Sequence, residues 1–235
     1  REVNLYKPKN LNQLKKIINT IKLKKESFSI MGSGNSYGDC FLNDKNIINL
    51  SNFNKILKID LKKNIIVVQS GVKLTSILNV IIPKKYILNN LPGSTEATVG
   101  GSIASNVHGK DSFKNGVFGN NIISMKILNE DGIVKVLKKN SKEFIHNIGT
   151  LGLFSIILEV KLSVSKIDSC CLEVNTDKFE SFNQMLDLFI KYKRKKYDYM
   201  GCWIDHFSKN GRGVFKSAKW EKNNKNQFIS INYSK

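Results

Sequence analysis

The chain has 235 residues, of which 41% are hydrophobic, and a formal charge of +19. That is enough length and apolar content for one large or two small globular domains with a real core, and no run reaches the ~18 consecutive apolar residues of a membrane span. Only three of the 38 basic residues are arginine (Arg1, Arg194, Arg212), which argues against nucleic acid as a partner, because phosphate and base recognition favours arginine forks.

The remaining charge reads as lysine-rich solvated surface. Its densest cluster, KYKRKKY at 191–197, reads as the polar end of a helix, and weak attraction to anionic lipid stays open. Cys40, Cys170, Cys171 and Cys202 form no C-x-x-C pair, and His108, His146 and His206 lie far apart. Neither zinc nor a disulfide framework is expected. Buried, reduced thiols are, with Cys170 and Cys171 on opposite faces of a strand. The chain begins at Arg1, so a preceding segment is neither seen nor excluded.

In chain order, NLNQLKKIINTIKLKK (10–25) has helical spacing, with Asn10 and Gln13 as a capping box. SFSIMG reads as a strand running into a glycine turn. NIINL (46–50), KILKID (55–60) and IIVVQSG (65–71) read as strands, and KLTSILNVII (73–82) as a helix closed by Pro83. A second unit opens at Pro92-Gly93 and holds a short helix of small residues, TVGGSIASNV. A hairpin follows, with Asp131-Gly132 as a type I′ turn, and then a helix, a Gly149/Gly152 turn and a long apolar strand to Leu162. From about Ser165 the pattern changes to strand DSCCLEV, a helix capped near Asp177, and two strands, DYMGCWIDHF and GRGVFKSAKW. A Lys/Asn-rich stretch, KWEKNNKNQ, comes last. The chain is therefore α+β, with subdomains at about 1–90 and 91–164 and a further α+β domain from 165.

Two glycine-rich segments carry the chemistry. GSGNSYGD (32–39) is G-x-G-x-x-x-G followed by Asn and Asp without a 3.6 period, so it fails the dinucleotide fingerprint, which needs a helix directly behind the turn. PGSTEATVGGSIASNVHGK (92–110) is the second. Glycines let consecutive backbone N–H groups converge on an anion, and two such loops on opposite sides of a groove suit a pyrophosphate joined to two ring systems.

These segments, with GVFGNNI (116–122), IGTLGLFSIILE (148–159) and WIDHFSKNGRG (203–213), occur in an order and spacing that resembles the FAD-linked oxidases of the vanillyl-alcohol oxidase type, over about residues 5–219. The resemblance implies a PCMH-type FAD-binding domain at 1–164 and the beginning of a substrate domain at 165–235, with more of the site lying beyond residue 235. It implies that Gly32, Ser33, Gly34, Asn35, Ser36 and Tyr37 wrap the pyrophosphate. Gly93, Thr98, Val99, Gly100 and Gly101 would carry the other side of the cofactor. Ser105, Asn106 and His108 would follow the isoalloxazine edge, Gly152 and Ile156 would close over the adenine half, and Trp203 would wall the flavin. His108 and Lys110 would face the substrate as catalytic residues. Many relatives carry a flavin-linked histidine at the position of Asn35, which offers no nucleophilic nitrogen, so FAD is expected to be non-covalent.

The implied reaction is oxidation of a secondary alcohol on a sugar of the polyprenyl-phosphoryl ribose kind. The carbinol hydrogen would leave as hydride to flavin N5, while His108, the only candidate base of that kind in the chain, takes the hydroxyl proton. A reductase completing a two-step epimerisation is the implied partner, and a cytoplasmic place or one peripheral to the inner membrane the implied location. An aldonolactone oxidase, an NADPH-using enolpyruvyl reductase and a non-catalytic FAD-fold binding module are the alternatives.

Overall fold

The computed structural model describes residues 2–139 and 141–222. Strand β1 (Asn4–Tyr6) leads to helix α1 (Leu11–Leu23), then β2 (Ser29–Met31) and β3 (Asn46–Asn49), and the three strands form a parallel sheet in the order β1-β3-β2. Strands β4 (Ile56–Asp60) and β5 (Ile65–Gln69) precede helix α2 (Leu74–Ile81), the short β6 (Tyr86–Ile87), helix α3 (Val99–Ala104) and the single turn α4 (Ser112–Asn115). Next come β7 (Ile122–Leu128), β8 (Val134–Lys138), α5 (Lys142–Ile145) and β9 (Ile156–Ser163). The large sheet is antiparallel, in the order β4-β5-β9-β7-β8. It crosses the break expected near residue 90, since β5 pairs with β9 from Ile65↔Ser163 to Gln69↔Glu159.

The apolar pattern of β9 explains why this sheet sits at the centre. Ile156 and Leu158 face one side, where Leu14, Ile18 and Ile21 of α1 pack with Ile48, Leu50 and Phe53. Ile157, Val160 and Leu162 join the cluster that holds α2 and α3 through Leu74, Ile77, Ile81, Val99 and Ile103. A strand buried on both faces reads as a near-continuous apolar run; β9 does so over Ile156–Leu158 and then alternates apolar with half-buried polar residues. The capping of α1 is reciprocal. Asn10 Oδ1 accepts from the Gln13 amide at 3.0 Å, and Gln13 Oε1 accepts from the Lys9 amide at 2.8 Å, one residue further back than an ideal box. Pro83 sits in the 3₁₀ turn that ends α2.

After β9, the short β10 (Ser165–Lys166) pairs with β6. Strand β11 (Leu172–Phe179), helix α6 (Phe182–Arg194), β12 (Tyr199–Ile204) and β13 (Gly213–Trp220) make a separate antiparallel sheet, β11-β13-β12, with α6 on one face. Phe179, Met185, Tyr192, Met200 and Phe215 form its core.

The structure differs from the sequence expectation at several places. The strand expected at DSCCLEV starts only at Leu172 and runs on to Phe179, because all eight residues pair with β13. Asp177 is therefore inside the strand, where its carboxylate accepts from Tyr192 Oη at 2.5 Å. Ser181 caps α6 instead, accepting from the Gln184 amide at 3.3 Å. Cys170 and Cys171 precede the strand and do not alternate across it. No disulfide joins the four cysteines among the described residues, and none of them is fully buried. The hairpin turn is not type I′. Only Gly132 has positive φ (75°), and the loop closes from the Asn129 amide to the Ile133 carbonyl at 3.0 Å. The Lys/Asn-rich stretch lies, from residue 223 on, outside the described residues.

Gly71 is a point of close backbone approach between β5 and the segment after β3. Its amide donates to the Phe53 carbonyl at 2.8 Å. A Cβ there would overlap the Leu50 carbonyl oxygen and lie 2.9 Å from that of Phe53. These are backbone atoms and cannot rotate away. Gly71→Ala is expected to cost about 1–3 kcal/mol by overpacking, read as a lower thermal midpoint.

Candidate cofactor site

A cleft of about 700 Å³ opens between the two glycine segments, within the range of small-molecule sites. One wall is residues 32–37 with Ile30, Cys40 and Phe41. The other is Pro92, Gly93, Ser94, Ala97 and Thr98 with the exposed side of α3 and Leu151. A second cavity of about 60 Å³ adjoins it, sharing Ile30, Gly32, Thr98, Gly101, Ala104 and Leu151 and adding Ser70, Asn147, Gly152 and Ser155.

The first wall leaves β2 and turns at once. Gly34 and Gly38 have φ of 70° and 68°, a region that side chains resist. Among the described residues, the backbone amides of 32–36 donate to no protein acceptor. Ser33 Oγ anchors the loop by donating to the Glu96 carbonyl at 2.8 Å. Glu96 itself sits below the usual carboxylate range, chiefly through the hydrogen bond from Lys73 Nζ at 2.7 Å, with the Thr75 hydroxyl adding to it. Gly32 must lack a side chain, because a Cβ would collide with Thr98 Oγ1. That oxygen caps α3, accepting from the Gly101 amide at 3.2 Å.

The second wall differs from the expected anion nest. The Val99 amide donates to the Val72 carbonyl at 2.9 Å, that of Gly100 to the Ser70 carbonyl at 2.7 Å, and that of Gly101 to Thr98 Oγ1. These groups are used inside the fold. The glycines serve close approach instead: a Cβ on Gly100 would lie 3.0 Å from Ser70 Cβ, and Gly101 faces the cleft.

Gly32, Ser33, Gly34, Asn35, Ser36, Tyr37, Gly93, Thr98, Gly101 and Ser105 thus share one cleft, and Gly100 and Gly152 border the adjoining cavity. Val99 and Ile156 are core residues that line neither. Asn106 turns the chain after α3 with φ 43°, its Oδ1 accepting from the Gly119 amide at 3.0 Å. His108 and Lys110 are exposed on the segment leaving the second wall. Lys110 lies along β12, where a Cβ on Gly201 would touch its stem at 3.5 Å. Trp203, 65% exposed, is on the third sheet and not among the residues lining the cleft. Sequence reasoning missed Ser70 and Ser102, each fully inside with a hydroxyl that has no hydrogen-bond partner among the described residues. It also left Cys40 outside the site, although Cys40 lines the cleft, and no signal marked Leu151 beyond its flanking glycines.

The amide-lined loop, the side-chain-free walls and the unpaired Ser102 hydroxyl fit a nucleotide cofactor with a pyrophosphate. The fold and cleft define a PCMH-type FAD-binding protein. The chain belongs to the family described as "FAD binding domain", which matches residues 4–138. It is similar to the decaprenylphosphoryl-beta-D-ribose oxidase of Mycolicibacterium smegmatis, 30% identical over 182 residues, covering 76% of this chain and 40% of that protein. It is also similar to the L-gulonolactone oxidase of Mus musculus, 22% identical, covering 86% and 45%. Among solved structures, alkyldihydroxyacetonephosphate synthase superposes with a TM-score of 0.77 at 15% identity, over 92% of this chain and 46% of that one. The chain spans less than half the length of these relatives. No helix among the described residues is long and apolar enough to cross a membrane.

Proposed function

We propose that this chain is the FAD-binding part of an oxidoreductase that oxidises a secondary alcohol on a lipid-linked sugar of the polyprenyl-phosphoryl ribose kind. The observation that carries the reading is the cleft between residues 32–37 and α3, with free amides on one wall and bare glycine surface on the other. Bound FAD would supply the hydride acceptor. Residues 32–37 hold the pyrophosphate, Gly93, Thr98 and Gly101 the opposite side, and Ser105 and Asn106 the flavin edge. His108 takes the hydroxyl proton, and Lys110 and Trp203 face the substrate. Residues 1–164 form the cofactor domain and 165–235 begin the substrate domain. A reductase would receive the keto product, and the lysine-rich surface would permit contact with an anionic membrane. The similarity to a gulonolactone oxidase supports a second reading, oxidation of a free sugar lactone at the same site.

Anaerobic mixing of the flavin-loaded protein, produced at the length of its relatives, with each substrate class tests the proposal. Flavin bleaching by the polyprenyl-phosphoryl sugar supports the first reading and bleaching by an aldonolactone the second. Bleaching by neither overturns both. Asn35 gives a separate expectation. After acid precipitation the yellow colour should leave with the supernatant, and colour that stays with the pellet would contradict non-covalent binding.

A further inference from the structure

The Asp111 carboxylate is 2% exposed and lies outside the cleft, yet it touches the elements that shape the cleft's second wall. Its Oδ2 accepts from the Asn90 amide and from Asn115 Nδ2, both at 2.9 Å. Asn90 is fully buried with φ 59°, and its Nδ2 donates to the Asn115 and Val117 carbonyls at 3.2 and 3.1 Å. The left-handed turn at Asn90 directs the chain into Leu91, Pro92, Gly93 and Ser94. Asp111 Oδ1 has no hydrogen-bond partner among the described residues and packs on Gly109. A Cβ at Gly109 would lie 2.7 Å from that oxygen and 2.6 Å from the Leu91 carbonyl oxygen. The next contact outward reaches the third sheet. The Lys110 carbonyl accepts from the Met200 amide at 2.8 Å, and Lys114 Nζ pairs with Asp198 Oδ1 at 2.7 Å. The Tyr199 hydroxyl is held above its ordinary range by burial first, and then by the negative charges of Asp111 and Asp198.

A buried charge persists only where it is hydrogen-bonded, and removing one partner of such a cluster disturbs the others. We infer that Asp111 is a positioning residue. Its carboxylate fixes the entry to the Leu91–Ser94 wall against the His108-Gly109-Lys110 segment and, through Lys110, sets that segment against the third sheet. The role toward His108 and the flavin rests on the proposed function; the tie between the three elements does not.

Hydrogen exchange resolved at single amides tests both levels. In Asp111→Ala, exchange at Asn90 and Met200 should quicken about tenfold or more, the worth of a hydrogen bond to a charged group, while the amides of β5 and β9 keep their rates. Asp111→Asn retains an acceptor oxygen and should restore most of the protection at Asn90. FAD affinity, read by fluorescence titration, should fall about tenfold in the alanine variant and recover in the asparagine variant. Unchanged exchange at Asn90 and Met200, a gain spread evenly over the central sheet, or unchanged FAD affinity overturns the inference. If Asp111→Ala does not fold, Asn115→Ala replaces it. That change removes one donor to the same carboxylate and should quicken Asn90 alone by a few-fold, and wild-type exchange there is equally fatal. A wild-type protein that bound no flavin would remove the proposed function and leave the exchange measurement to judge the tie.

Discussion

Gly101→Val is expected to weaken FAD binding and lower the flavin content of the purified protein while leaving the protein folded. Gly101 is on the face of α3 that lines the cleft, and its added Cβ would meet nothing closer in the protein than Thr98 Oγ1 at 3.2 Å. The rest of the side chain must enter space the cofactor needs. It would also crowd the threonine that caps the helix. Overpacking of this kind costs about 1–3 kcal/mol in a rigid site, which corresponds to roughly 5- to 150-fold in affinity. Gly100→Val is the instructive contrast. A Cβ there would lie 3.0 Å from Ser70 Cβ and 3.1 Å from the Ser70 carbonyl oxygen, so the helix would be pushed from the end of β5. That variant should lose thermal stability as well as flavin. Flavin stoichiometry and melting temperature, measured on both proteins, separate the effects. Full flavin content in Gly101→Val would show that α3 is not a cofactor wall.

His108→Ala should retain flavin and lose rate. His108 is exposed on the segment that leaves the second wall, beyond the residues that enclose the cleft, so its removal opens no cavity in the core. A positioned general base contributes on the order of 10² to 10⁴ to rate. That is the loss expected in the reductive half-reaction, followed as flavin bleaching by anaerobic stopped flow. Loss of flavin at an unchanged reduction rate would mean that His108 only supports the cofactor. Wild-type behaviour in both measurements would remove it from the mechanism.

Much of the fold was legible in the residues because it is set locally. The N-x-x-Q at Asn10 predicted the cap of α1, since a side-chain oxygen and an amide three residues on meet in any helix start. The same S-x-x-Q signature stands at Ser181 and Gln184 and marks the start of α6 better than the acidic Asp177 did. The sequence could not show that Asp177 belongs to a strand, because that depends on pairing with Phe215 across a sheet formed 38 residues later. The type I′ expectation at Asp131-Gly132 failed for a related reason. The register of β7 and β8, from Ser124↔Lys138 to Leu128↔Val134, leaves five residues in the loop rather than two.

The sequence by itself determined that two glycine-rich loops exist, that the first is no dinucleotide fingerprint, and that Asn35 cannot bond a flavin through a ring nitrogen. These follow from residue identity and spacing. Only the tertiary structure decided which glycines face the cleft and which let distant parts of the chain pack together. Gly34 and Gly101 border the cleft, whereas Gly71 and Gly100 let backbone from distant segments approach to contact, and nothing in their immediate neighbours distinguishes the two uses. The unpaired hydroxyls of Ser70 and Ser102 and the buried carboxylate of Asp111 were invisible for the same reason. A polar group's burial and its partners depend on chain that is remote in sequence, and only packing brings that chain to it.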